Sequence, residues 1–180
     1  HSDHISGLSV LARRYHIPVY MTKGTWQACS TKLNRADLID VRFILPNQTL
    51  SLGSMEIKAY PVSHDAAEPV GYLVDTGKGK IALASDLGEW TEAIADEVKG
   101  ADLVFLESNY DTTMLWNGAY PWPLKQRIDS SCGHLSNLEA ALASQHLLKM
   151  GTDRFVLVHL SVNNNRPDLA YEEVTSYLAH

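Results

Sequence analysis

One layered sandwich spanning 1–180, α/β or α+β, is the fold this sequence predicts, on three observations. The apolar period changes from helical to two after Asp37, giving several strand-length runs in succession. Turn residues at Pro46–Asn47, Gly53 and Gly77–Lys78–Gly79 separate those runs, as in hairpins. Beyond Ser85, strand patterns alternate with helical ones, so hairpins give way to αβ units with helices outside layered sheets. With 180 residues, 45% hydrophobic and 20% charged, the chain has room for one ordinary core and is too apolar for a disordered tail. It holds no internal repeat, low-complexity tract or linker-like stretch. No GxGxxG or Walker pattern points to a dinucleotide or P-loop fold.

Taken in order, Ile5 to Tyr15 places Ile5, Leu8, Leu11 and Ala12 on one helical face. Pro18 opens a short strand to Met21, and Thr25 to Leu33 reads as a helix with Thr25 as its N-cap. Strands are expected over Ile39 to Leu45, Met55 to Val62, Val70 to Asp75 and Lys80 to Ser85. Glu89 to Lys99 is helical, and Asp102 to Glu107 is a buried strand. Ser136 to Met150 is the clearest helix, capped by Ser136 or Asn137 and ended by Gly151. Arg154 to Leu160 is the last strand. Asp168 to Leu178 is a closing helix, with Pro167 suited to its first turn.

Composition excludes several classes of function. No apolar run approaches the roughly 18–20 residues of a membrane-spanning helix. Fifteen basic against 21 acidic side chains leave −6, so a polyanionic partner needs a local basic patch or metal ions. Cys29 and Cys132 are too few for a disulfide framework and fit no zinc-finger spacing, which makes a reducing compartment the default.

Residues able to bind metal gather at the predicted strand ends. His1-Ser2-Asp3-His4 precedes a helix, His64 follows the strand ending at Val62, Asp86 follows Ser85, and His159 lies late in the last strand. Alone, His64 or His159 reads as an ordinary histidine and Asp86 as a turn residue. His16 and His146 are given that bland reading. HxDH together with His, Asp, His in order at strand ends favours metal, because loops at one sheet edge place ligands on a rigid scaffold. Imidazole and carboxylate suit zinc, manganese or iron, and a bridging carboxylate lets two ions share one site.

With those residues the chain resembles the metallo-β-lactamase fold superfamily, whose pattern is HxHxDH, then a lone His, an Asp and a final His. HSDH matches the second half of the first motif; PVSHDAAEPVGY, ASDLG and LVHLS carry His64, Asp86 and His159 in order. The resemblance implies an αββα sandwich and two divalent metal ions. His1 and His64 would ligate the first, Asp3, His4 and His159 the second, and Asp86 would bridge them. The first His of HxHxDH and the strands that precede it in the family lie outside the sequence, which begins at His1. The expectation is therefore an N-terminally incomplete domain, with one ligand and one sheet edge short.

Two further motifs bear on the branch. Glu107 in LESNYD sits at a strand end, and His134 in GHLSN precedes a helix start. A histidine held by a carboxylate can stay protonated and donate to a leaving oxygen, and a helix N-terminus favours phosphate. The bland alternative is that Glu107 caps or salt-bridges while His134 packs in a loop. The pair is similar to the Glu and His couple of the RNase Z tRNA-processing nucleases. SHDAAEPVGY, ASDLG, LESNYD, GAYPWPLKQRI, GHLSN and HLSVNNNRP resemble more closely the YycJ/WalJ branch, cytoplasmic members implicated as 5′-to-3′ DNA exonucleases.

The resemblance thus implies a dinuclear-metal phosphodiesterase in which a metal-bound hydroxide attacks phosphorus. Asp3 would orient the attacking water or take its proton, and His134, oriented by Glu107, would act as general acid. Lys125, Arg127, Ser136 and Asn137 are the candidate substrate-binding residues. Around Tyr120 to Arg127, two cations and two aromatics suit a single-strand groove, or else Trp122 packs inward from a solvated helix start. Asn163 and Asn164 read as turn residues, and Arg166 is open between phosphate and turn. The rivals are a lactonase- or thioesterase-type hydrolase and a non-catalytic protein on a degenerate fold.

Overall fold

The structure, a computed structural model, describes residues 1–179. Its centre is a six-stranded sheet in the order β3 (Thr49–Leu52), β4 (Met55–Pro61), β5 (Val70–Asp75), β6 (Lys80–Ala84), β7 (Leu103–Glu107), β8 (Phe155–Val158). β3 to β6 form an antiparallel meander, whereas β6, β7 and β8 are parallel. Since β4 and β6 are both antiparallel to β5, strands β4, β6, β7 and β8 all point the same way. Their C-terminal ends share one sheet edge, where open α/β sheets place ligands.

One face of this sheet carries the core. Tyr60, Ala82, Ala84, Val104 and Leu106 alternate inward and meet Ile94 and Val98 of α4 (Glu92–Val98). Ala140, Ala141, Ala143 and Leu147 of α7 (Asn137–Lys149) and Val174 of α8 (Pro167–Leu178) complete the layer. The small side chains of α7 let it lie close to the sheet. Its start is the expected one: Ser136 and Glu139 form a reciprocal capping box.

The opposite face is also apolar, because β5 and β6 present Tyr72, Val74, Ile81 and Leu83 to it in register. Among the described residues the second layer is a parallel pair, β1 (Val19–Met21) with β2 (Val41–Phe43). Tyr20 and Ile44 from that layer line a groove of about 260 Å³ against Ile57, Tyr72, Val74 and Leu83. The architecture is therefore a metallo-β-lactamase-type α/β sandwich with an abbreviated second sheet.

Several boundaries differ from the sequence reading. The first helical stretch is two helices, α1 (Ser2–Ile5) and α2 (Leu8–Tyr15), parted at Ser6–Gly7, and Leu11 is exposed while Ser9 and Ala12 are buried. Thr22, not Thr25, caps α3 (Lys23–Cys29), its hydroxyl accepting from the Thr25 amide. β3 and the short helix α5 (Thr112–Asn117), which Asp111 caps, were not predicted. His159 lies one residue beyond β8, not within it, at φ 59°.

Candidate metal centre

At the shared sheet edge, four strands deliver four side chains. β4 leads to His64 three residues past its end and β6 to Asp86 two residues past; β7 ends on Glu107, and β8 precedes His159. Asp86 and His159 both hold left-handed backbone, φ 56° and 59°, which non-glycine residues adopt at a cost of order 1–3 kcal/mol. The surrounding loops are tightly fitted: the Gly88 amide donates to the Ser63 carbonyl at 2.6 Å, and a Cβ on Gly88 would stand 2.1 Å from the Ser131 carbonyl oxygen.

α1 brings the HSDH segment over this edge. The donor atoms of His1, His64 and Asp65 form one cluster, those of Asp3, His4 and His159 a second, and those of Asp86, Glu107, His134 and His159 a third; within each they lie within 4.8 Å of one another. Asp86 stands between the first two, with Oδ1 3.3 Å from His64 Nε2 and Oδ2 2.8 Å from His4 Nε2. His1 Nδ1 is 3.3 Å from His64 Nε2, and Asp3 Oδ2 is 3.5 Å from His159 Nε2. The six candidate ligands thus converge in the two groups that the resemblance implies, with the aspartate between them.

The outer contacts set the tautomers that a metal needs. His64 Nδ1 donates to the Gly133 carbonyl at 2.9 Å, leaving the Nε2 lone pair aimed at Asp86 and His1. His159 Nδ1 donates to Glu107 Oε1 at 2.7 Å and so presents Nε2 toward Asp3. Imidazole nitrogens and carboxylate oxygens converging in this way form a donor set that suits a divalent cation, whose binding would displace the proton His159 otherwise holds.

Glu107 is fully buried and anchors two rings at once. Its Oε1 accepts from Nδ1 of both His134 and His159 at 2.7 Å, while Oε2 accepts from the Leu87 amide at 2.6 Å. The sequence paired Glu107 with His134 alone; its hold on His159 is a finding of the structure. Burial pushes the Glu107 carboxyl up, but the bonds from His134, His159 and Leu87 outweigh it and keep it below the usual carboxylate range. The His159 imidazole is lifted to about 9 by its bond to Glu107, against burial and with help from Asp86 and Asp3. Partial burial works to raise Asp3, yet His4 and His159 hold it low. These fields favour positive charge at the place where the ligands meet.

Asp65 was missed, although it follows His64 directly. Arg127 donates to it and holds its carboxyl low, partial burial opposing. Asn109 was missed too: its amide donates to the His159 carbonyl at 2.8 Å and helps hold that residue's unusual backbone. Only its place in LESNYD, beside Glu107, could have signalled it.

The candidate substrate residues separate. Arg127 is exposed beside the cleft. Lys125, on α6 (Trp122–Ile128), is buried, and its ammonium donates to the Trp116 carbonyl at 2.8 Å. The Ser136 side chain is occupied by Glu139, and Asn137 is buried between Ser108 and Asn165. Trp122 does not pack inward: it is 62% exposed, its ring 5.0 Å from that of Trp116. Asn163 donates to the Tyr120 hydroxyl at 2.8 Å, Asn164 is buried in its turn, and Arg166 pairs with Asp168.

Comparison with known proteins decides the family, since the beta-lactamase superfamily domain matches residues 1–160. The chain belongs to the metallo-β-lactamase superfamily. This superfamily member is 40% identical over 179 residues to exodeoxyribonuclease YycJ of Bacillus anthracis, covering 99% of the chain and 67% of that protein. It is 38% identical over 181 residues to exodeoxyribonuclease WalJ of Streptococcus pneumoniae, with the same coverage. Among solved structures, YhfI from Bacillus subtilis, a metallo-β-lactamase fold protein, superposes with TM-score 0.75 at 18% identity over 98% of this chain and 68% of that one. Zn(2+)-bound PqqB from Methylobacterium extorquens gives 0.71 at 22% identity, over 99% and 63%. Both share the metallo-β-lactamase fold. The chain is thus a metal-binding hydrolase of this superfamily, related to the YycJ/WalJ nucleases.

Proposed function

We infer that this hydrolase is a two-metal phosphodiesterase that removes nucleotides from DNA, working from the 5′ end. The observation that carries the reading is His134. It lies outside the six candidate ligands, its Nδ1 is fixed on buried Glu107, and it lines the same cleft as Asp3 and His159. That is the placement a general acid needs. The two relatives named exodeoxyribonucleases add the substrate class and, with the resemblance, the polarity.

His1 and His64 would hold one ion, Asp3, His4 and His159 the other, and Asp86 would be shared. Two divalent ions, zinc or manganese with iron also suited, supply Lewis acidity and a more acidic water when bound there. This chain's own residues do the rest. Asp3, kept ionised by its histidine neighbours, orients the attacking water and accepts its proton. His134, held in one tautomer by Glu107, protonates the leaving oxygen from Nε2 and regains its proton from solvent. Arg127, beside the cleft, steadies a flanking phosphate.

End-labelled single- and double-stranded DNA and RNA, incubated with the chain and Mn²⁺ or Zn²⁺, test the reading. Metal-dependent shortening of DNA from the 5′ end is expected. No cleavage of any strand by protein that retains its metals would transfer the activity to a small ester or lactone.

A further inference from the structure

One feature of the cleft plays no part in metal binding or proton transfer. The cavity of about 530 Å³ that contains Asp3, His134 and His159 is lined elsewhere by Tyr120, Leu124, Ile128 and Val162. Val162 is 94% exposed and presents an apolar β-branched side chain at the rim of the cleft. It stands in the turn after His159, and the next residue, Asn163, holds the Tyr120 hydroxyl at 2.8 Å. Aromatic wall and apolar tip are thereby tied to one loop directly behind a candidate metal ligand.

We propose that Tyr120, Leu124, Ile128 and Val162 form a subsite for a single unpaired nucleobase, that of the nucleotide about to be released. This deepens the phosphodiesterase reading and rests on it. The chemistry is that of single-strand recognition generally: a base offers a flat apolar face, and aromatic or apolar side chains receive it without reading its identity. A cavity of this volume is of ligand-pocket size. In a duplex the faces of the terminal base are stacked and its edge is paired. A paired end therefore has to fray before its base can enter, at the cost of unstacking and unpairing. The subsite makes the enzyme prefer single-stranded or frayed ends and tolerate any base there.

The experiment compares three 5′-labelled DNA ends with Mn²⁺: an ordinary single strand, the same strand with an abasic terminal nucleotide, and the ordinary end paired in a blunt duplex. Wild type and Val162→Ser are run together, with binding of each strand measured by fluorescence anisotropy in EDTA as a readout independent of turnover. Val162 is so exposed that the substitution leaves the fold intact. Wild type is expected to show KM and Kd about tenfold lower for the ordinary single strand than for the abasic or paired end, and Val162→Ser, which removes apolar surface without adding charge, to cut that ratio about threefold. Equal handling of ordinary and abasic ends by wild type, or an equal change for both in the variant, overturns the subsite and leaves the phosphodiesterase reading standing. Cleavage of none of the three overturns the phosphodiesterase reading itself.

Discussion

Glu107 concentrates more of the site's chemistry than any ligand does, because one buried carboxylate accepts three hydrogen bonds. Glu107→Gln keeps the shape but turns one oxygen into a donor. Either the Leu87 amide or the two imidazoles then face an N–H with no acceptor, costing about 1–3 kcal/mol. The melting temperature is expected to drop by about 3–10 °C. Activity should fall at the same time, since both His134 and His159 lose their orientation. His134→Ala differs: it leaves all six candidate ligands in place, so metal content by elemental analysis should match wild type while kcat falls about 100-fold or more. Asp86→Ala, which removes the group between the two clusters, should lose metal and activity together. Equal metal loss in the two variants would contradict the separate roles. At this scale the positions that the fold gathers were legible from their order along the chain, His64 and Asp86 past strand ends and His134 before a helix, although each residue alone had a bland reading. Asp65 and Asn109 were not legible because they act on Arg127 and on the His159 backbone, partners that only the fold brings near.

Among the elements, period and punctuation marked those that bury a face. β5 was read to the residue, since Val70–Asp75 alternates between turns and pairs on both sides. The start of α7 was legible as Ser136 or Asn137; the structure takes Ser136, and its reciprocal box with Glu139 is a finding of the structure. β3 and α5 escaped because four and six residues are too few for a period to emerge. The box also bears on substrate binding, as Glu139 occupies the Ser136 hydroxyl at 2.8 Å and its amide at 2.7 Å. Ser136→Ala is therefore expected to cost about 1 kcal/mol of stability and about 2–4 °C of melting temperature, with KM for DNA unchanged. A rise in KM without loss of stability would return Ser136 to the substrate.

For the molecule as a whole, the arrangement of like charge is the decisive fact. A chain of net charge −6 gathers Asp3, Asp65, Asp86 and Glu107 at one sheet edge and answers them there with Arg127 and imidazoles. Such an edge is least stable bare and gains most from a bound cation, because an ion that binds only the folded state adds RT ln(1 + [L]/Kd). One site filled at a hundredfold over its Kd contributes about 2.7 kcal/mol. For a domain of this size, that corresponds to a melting temperature about 5–10 °C higher. EDTA should therefore lower the transition of the metal-loaded protein by about that much, and restored Zn²⁺ or Mn²⁺ should return it, as read by scanning fluorimetry. His134→Ala should keep the full shift and Asp86→Ala should lose most of it, a stability readout that separates ligand from proton donor without any substrate. A shift that survives in Asp86→Ala would move the cation away from the edge where four strands end.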